Sequence, residues 1–137
     1  MFSLLKAAVK DHPQAIMPPP CFAEMQGEVV EQFDGQRLRI RFPVLERFQN
    51  PWRFMQGGFA VAALDNTMGP YSFLIGPPNV TSSMQITYLR PITPDLSHIE
   101  CQATLLEKCG RTLLIQGRVL APDERVLVIA QASCQIV

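Results

Sequence analysis

Two glycines, Gly57 and Gly58, stand directly before an apolar run, Phe59-Ala-Val-Ala-Ala-Leu64, and a carboxylate, Asp65, follows it. The length and alanine content of this run predict a helix. Glycines at a helix start let the backbone come close to a ligand. The first N–H groups of a helix lack intrahelical acceptors and attract negative charge. Aspartate is a poor helix former and is costly to bury alone, so Asp65 needs a reason to be there. A backbone N–H beside a developing oxyanion, with a carboxylate to handle water, is the equipment of acyl transfer. Each feature has a plainer account: Gly-Gly as a tight turn, a helical Asp bonded to nearby backbone. Their combination on one apolar helix is what points to chemistry.

Other chemistries lack their parts. The chain has two histidines. His12 precedes a proline near the N-terminus and His98 falls on the polar side of its strand, so neither is placed as a base beside the helix. A Ser-His-Asp or Cys-His arrangement is therefore not expected, and there is no Gly-x-Ser-x-Gly elbow. Phosphate loops and dinucleotide fingerprints are absent. The four cysteines (Cys21, Cys101, Cys109, Cys134) form no Cys-x-x-Cys pair and read as reduced, buried thiols of a cytosolic protein, with no metal site.

The elements that must hold these residues follow from patterning. Ser3 to Lys10 predicts a short amphipathic helix capped by Ser3 and stopped before Pro13. Met17-Pro-Pro-Pro20 predicts a stiff extended segment. Glu24 to Phe33 is loosely strand-like, and Asp34-Gly35 is a hairpin signal. In Gln36 to Val44, Leu38, Ile40 and Phe42 alternate with Arg37, Arg39 and Arg41, and the arginines read as a solvated sheet face. The loop from Gln49, fixed by Pro51, leads into the central helix, which is apolar on every side and is expected to be buried all round. Gly76-Pro77-Pro78 stops it. Strands follow over Val80 to Arg90, Ser97 to Glu107, Thr112 to Leu120 and Arg125 to Val137, joined by turns short enough to require antiparallel pairing. One helix must then lie across one antiparallel sheet.

Composition bounds the rest. With 137 residues, 47% of them hydrophobic, the chain predicts a single domain over 1–137, residues 1–23 forming the N-terminal helix and proline-rich segment. Twelve basic and twelve acidic residues cancel, which argues against nucleic acid or an anionic membrane as partner. No apolar run reaches the roughly 20 residues of a membrane helix, and Lys6 and Lys10 interrupt what a signal peptide would need. A cytoplasmic protein is expected.

With these elements in order, the sequence resembles the hotdog-fold acyl-CoA thioesterases, in the branch of the phenylacetate-pathway and 4-hydroxybenzoyl-CoA thioesterase-like proteins. That branch shows an Asn, then His-Gly-Gly, then a helix bearing Asp or Glu seven residues after the second Gly. Asn50, Gly57, Gly58 and Asp65 fall at matching places. Thr81-Ser-Ser-Met-Gln-Ile-Thr-Tyr-Leu-Arg-Pro91 looks like the family's strand after the helix, and Gly110-Arg111 like its turn between the next strands. The resemblance runs from about Gly27 to the C-terminus. It implies an α+β hotdog fold, an antiparallel sheet wrapped around one long buried helix. One position departs from it: Gln56 stands where the family has histidine, and glutamine donates and accepts hydrogen bonds but does not titrate.

By that resemblance, Asp65 is the general base for water or the nucleophile, and the Gly57 N–H holds the thioester oxygen. Asn50 and Gln56 orient the thioester or the water, and Ser83 positions water. Gly58, Arg90 and Arg111 contact the substrate, the arginines at coenzyme A phosphates. No cofactor is implied, since coenzyme A is part of the substrate. Gly58 and Asp65 lie seven residues apart on one helix, about 10 Å of rise, too far to meet around one carbonyl carbon. A second, antiparallel copy of the helix brings the partner's Asp65 beside Gly57. A homodimer, or a dimer of dimers, is therefore expected. A non-catalytic acyl-CoA or acyl-carrier binding protein and an acyl-carrier-protein thioesterase stay open as alternatives.

Overall fold

Alternation in the strands decides the architecture. The structure, a computed structural model, describes residues 1–33 and 36–137. The strands are β1 (Glu28–Phe33), β2 (Arg37–Pro43), β3 (Asn79–Tyr88), β4 (His98–Cys109), β5 (Thr112–Leu120) and β6 (Val126–Ile136). The helices are α1 (Phe2–Ala8), α2 (Pro20–Glu24) and α3 (Gly57–Ile75). All strands join one antiparallel sheet in the order β1-β2-β4-β5-β6-β3. The sheet curls around α3, which is the hotdog arrangement. The expected Asp34-Gly35 turn lies outside the described residues.

Leu38, Ile40 and Phe42 of β2, Ile99, Cys101 and Ala103 of β4, and Leu113, Ile115 and Val119 of β5 turn inward at every second position and are buried. Against them α3 lays Ala60, Ala63, Leu64, Met68 and Tyr71, the period of a helix with one face down. Burying side chains such as Leu64 and Met68 contributes about 1.5–3 kcal/mol each. Contact is closest at Gly117 of β5, where an added Cβ would fall 2.5 Å from Met68 Sδ. Glycine there lets the helix sit down on the sheet. Tyr71 closes the far end. Its hydroxyl donates to the Gln36 carbonyl and accepts the Leu105 N–H, at 3.3 and 3.0 Å, beside a bulge in β4.

Several expectations change. The helix is not covered all round within one chain: Gly58, Ala62, Asp65 and Gly69 lie on the side away from the sheet, and Gly58 and Asp65 are exposed. Ser3 caps nothing, since α1 begins one residue earlier and Met1 takes the N-cap position. Pro20 opens α2, where its missing N–H costs nothing, and Glu24 ends that helix, so β1 starts only at Glu28. Edge-on aromatic contacts from Phe2 to Phe22 (5.1 Å) and Phe22 to Phe42 (5.9 Å) fasten this N-terminal segment to the core.

The arginine face is paired as well as solvated: Arg37 and Arg41 stay open to water, while Arg39 is largely enclosed. Glu100 is buried and receives Arg39 and, at 2.9 Å, Arg41. Arg39 also meets Glu124 at 3.1 Å, and Arg37 meets Glu31 at 2.7 Å. Burial alone would raise the Glu100 pKa, but Arg41 and Arg39 outweigh it and hold the carboxyl below the ordinary glutamate value. The four cysteines are free thiols. Cys101 and Cys134 are buried as expected, whereas Cys21 and Cys109 are exposed. Burial pushes the Cys101 thiol up to about 12. Among the described residues, no helix is long and apolar enough to cross a membrane, and no cluster of His, Cys, Asp or Glu could hold a metal ion.

Candidate active site

Asn50 organises the loop that leads into α3. Its Oδ1 accepts the N–H groups of Trp52 and Phe54 at 2.9 and 3.1 Å, and its backbone N–H reaches the Phe54 carbonyl at 2.7 Å. Arg53 takes a left-handed conformation (φ 65°) to close this turn, and Gln49 pairs with Met55 across its base. The Met55 N–H then bonds the Ile92 carbonyl and the Gln56 N–H the Phe48 carbonyl, at 2.9 and 2.8 Å. Phe48 stacks on Phe59 at 4.2 Å, which fixes the first turn of α3. Both loop donors land on Oδ1, so the Asn50 amide NH2 is the end left for a ligand.

Gln56 is the N-cap residue of α3, without a side-chain cap, and its carbonyl takes the N–H groups of Phe59 and Ala60. The Gly57 and Gly58 N–H groups have no acceptor among the described residues. They carry the positive end of a 19-residue helix. Tyr88 lies close over Gly57: an added Cβ would fall 2.9 Å from its hydroxyl, so a larger residue here would push the exposed tyrosine ring aside.

Asn50, Phe54, Gly57, Tyr88 and Arg90 share one cavity of about 330 Å³, open to solvent and walled by Met55, Ala60, Ile92 and Val128. Arg90 Nη1 donates to the Val126 carbonyl at 2.6 Å, which holds the guanidinium at this wall. The lining therefore includes residues that carry donors: Gly57 at the helix start, the Asn50 amide and the Arg90 guanidinium. It has no carboxylate of its own.

Asp65 lies on α3 outside that lining, eight residues and about 12 Å of rise beyond Gly57. It makes no hydrogen bond or ion pair among the described residues. Although it opens to solvent, partial burial pushes its pKa above the ordinary aspartate value. Its charge is felt by Cys134, which pairs with Thr81 of β3. Burial is the main cause that raises the Cys134 thiol. So β3 runs beside α3 with its Tyr88 end near Gly57 and its Thr81 end toward Asp65.

Residues 54–128 match the family model described as "Thioesterase superfamily". The chain belongs to that superfamily. No curated protein matches it. Among solved structures, this thioesterase-superfamily chain is similar to the E. coli PaaI protein from the phenylacetic acid degradation operon, at 14% identity and TM-score 0.77, over 84% of this chain and 86% of that one. It is also similar to TT0310 from Thermus thermophilus (20%, 0.79, 88% and 100%) and to the conserved protein PA5202 from Pseudomonas aeruginosa (22%, 0.79, 88% and 96%). At these identities the likeness concerns the fold.

Within the superfamily member, the cavity gathers three of the sequence-predicted residues: Asn50, Gly57 and Arg90. Gln56 adjoins them but is exposed and off the lining. Gly58 faces outward with open space above it. Ser83 sits beside a bulge on the exposed edge strand β3, opposite Ser133. Arg111 is at the β4–β5 turn, where Nε and Nη2 both donate to the Ile136 carbonyl. Tyr88 was missed by sequence reasoning. Its signal was present, since it opens the Tyr-Leu-Arg-Pro ending, but only the fold shows it covering Gly57.

Proposed function

We propose that this protein hydrolyses the thioester of an acyl-coenzyme A, as a homodimer in which each site draws on both chains, and that it belongs near the phenylacetate-pathway branch of its superfamily. The observation that carries this reading is a mismatch. A cavity lined by Asn50, Gly57 and Arg90 holds no carboxylate, while Asp65, exposed but partly desolvated and unpartnered among the described residues, lies two turns away on the same helix. Two further features support a second copy. Strand β3 is a sheet edge of ten residues, mostly exposed, and long bare edges are pairing surfaces. The outward strip of α3 carries the small residues Gly58, Ala62 and Gly69, which allow close approach. Pairing β3 antiparallel with its copy reverses both ends, so the partner's Asp65 moves toward Gly57. A further pairing of dimers is compatible with this arrangement.

In this reading the thioester carbonyl oxygen accepts the Gly57 N–H, strengthened by the helix dipole, and the Asn50 NH2. The partner's Asp65 takes a proton from water as the oxygen attacks the carbonyl carbon. The tetrahedral intermediate collapses with loss of the coenzyme A thiolate, which takes up a proton, leaving a free acid. Attack by the carboxylate itself, through an anhydride that water then opens, uses the same geometry. Ser83, on the stretch of β3 toward Asp65, is assigned to the water. Gln56 orients by hydrogen bonds alone. Arg90 keeps part of its guanidinium for a coenzyme A phosphate, whereas Arg111, held to its own strand end, is the weaker phosphate contact. Free thiols fit a reducing cytoplasm.

The test is release of free thiol from short, long and aromatic acyl groups, carried on coenzyme A and on acyl-carrier protein. Turnover of the coenzyme A series supports the proposal, and turnover only on carrier protein redirects it. Gln56 favours one second reading, an acyl-CoA binding protein, and binding of the same panel without thiol release would establish it.

A further inference from the structure

We propose that the acyl tail of the substrate lies in a second, apolar cavity one helical turn beyond Asp65, and that this cavity selects medium-chain fatty acyl groups. This rests on the thioester reading above, which places the carbonyl carbon at Asp65.

The cavity holds about 150 Å³. Leu5, Met17 and Pro19 of the N-terminal segment line one side, and Gly69 and Phe73 of α3 the other. Its one polar side chain, Asn66, is already engaged: Oδ1 accepts the Cys21 thiol at 3.5 Å, and Nδ2 faces Met25 Sδ at 3.8 Å. The space offers an occupant burial rather than hydrogen bonds, so a phosphate, a carboxylate or the amides of a pantetheine arm would be left unsatisfied in it. Those groups suit the other cavity, beside Asn50, Gly57 and Arg90. The part of an acyl-CoA that suits this one is the hydrocarbon chain.

The helix itself ties this cavity to the reaction. Gly69 follows Asp65 by four residues within a continuous α3, so the two are neighbours on its outward strip, about 6 Å apart. Asp65 and the cavity belong to the same chain, so this spacing holds however two chains meet. Gly69 leaves the passage between them clear, since an added Cβ there would meet no atom within 4 Å. A chain attached to a carbonyl at Asp65 needs roughly three or four carbons to cross that turn. An apolar cavity of this size then takes about six more, the bulk of a benzene ring. Acyl groups of about eight to ten carbons therefore fill it, and longer ones outgrow it. The N-terminal wall lies outside the family match at residues 54–128, so the length it sets is particular to this chain.

The test is thiol release by the full-length protein from butyryl-, hexanoyl-, octanoyl-, decanoyl-, dodecanoyl- and palmitoyl-CoA. Each methylene that enters the cavity should raise kcat/KM about fourfold, through KM rather than kcat, up to decanoyl-CoA and no further. Gly69→Leu puts a side chain into this space and should lower the decanoyl-to-butyryl ratio of kcat/KM about tenfold or more. Met17→Trp should do the same from the opposite wall, and Phe73→Ala should move the optimum to dodecanoyl-CoA. A ratio taken on one variant does not depend on how much of that variant folds or dimerises. A flat series in wild type, or a ratio that Gly69→Leu and Met17→Trp leave unchanged, overturns the cavity while sparing the hydrolase. Where no acyl-CoA releases thiol, the hydrolase reading fails and the cavity is judged by binding alone. S-decyl-CoA, a thioether that cannot be hydrolysed, should then bind more tightly than S-butyl-CoA by calorimetry, and Gly69→Leu should erase the preference. Equal affinities in wild type overturn the cavity as well.

Discussion

Replacing Asp65 by asparagine separates a working carboxylate from a structural one, because the structure assigns opposite signs to activity and stability. The side chain has no hydrogen-bonding or ionic partner among the described residues, so its removal breaks nothing of the kind that costs 3–5 kcal/mol at a buried ion pair. Desolvation has raised its pKa, which sets the sign of the linkage. A raised carboxyl contributes most to stability when protonated, below its unfolded value, and that contribution is lost as pH rises through the folded value. Asparagine stays neutral throughout. Asp65→Asn should therefore be slightly more stable than wild type at neutral pH, and equal to it below about pH 3.8, the ordinary aspartate value. The group is open to solvent, so the gain is capped at about 1 kcal/mol, or roughly 4 °C in Tm for a domain of this size. Turnover should fall about a hundredfold or more, some 2.7 kcal/mol of barrier. Wild-type activity should decline on the acid side at a pH above that of an ordinary aspartate. Thermal melts of both proteins from pH 3 to 8, beside thiol release at each pH, read all of this. A variant that keeps its rate, or that loses more than about 1 kcal/mol at neutral pH, would falsify the assignment.

Gly57→Ala should displace the exposed Tyr88 ring, whose hydroxyl stands 2.9 Å from the new Cβ, at little cost to the fold, and lower kcat only modestly by disturbing the cover over the donor. Tyr88→Ala in the same chain should return part of the loss, a coupling that an independent pair of sites would not show. Glu100→Gln should cost about 2–3 kcal/mol at neutral pH, discounted from the buried-pair range because Arg39 keeps Glu31 and Glu124. Since the Glu100 pKa is lowered, its contribution is present above the unfolded value and lost as pH falls through the folded one, so variant and wild-type denaturation midpoints should converge in acid. Mixing Asn50→Ala and Asp65→Asn chains by partial unfolding should recover roughly a quarter of wild-type turnover, since half the dimers are mixed and half their sites whole. Mixed dimers that stay at the parental average would assign both residues to one chain's site.

Period-two alternation made the sheet legible, because it records a half-buried strand regardless of neighbours. Thr112 to Leu120 was readable to the residue, and the inward set of β2 was correct in every member. Local signals failed where a distant element decides. Ser3 looks like a cap, yet α1 starts at Phe2, whose ring is drawn to Phe22. Arg39 looks like a solvated strand residue, yet Glu100 two strand positions from its cross-strand neighbour and Glu124 on a remote turn enclose it.

The candidate site divides along the same line. Asn50 and Gly57 could be named because a loop–helix junction is contiguous in sequence, but that junction is only one wall of the cavity, and the Tyr88–Ile92 stretch with Val128 builds the other. Tyr88 stands in a legible stretch, Tyr-Leu-Arg-Pro, but its place over Gly57 is set by a strand some thirty residues on and needed the fold. Asp65 is the limiting case. Its separation from the Gly57 N–H follows from helix pitch alone, and no rearrangement within one chain shortens about 12 Å along a continuous α3. If Gly57 and Asp65 serve one reaction, the carboxylate has to come from another molecule, and the bare edge of β3 offers the symmetry that would deliver it.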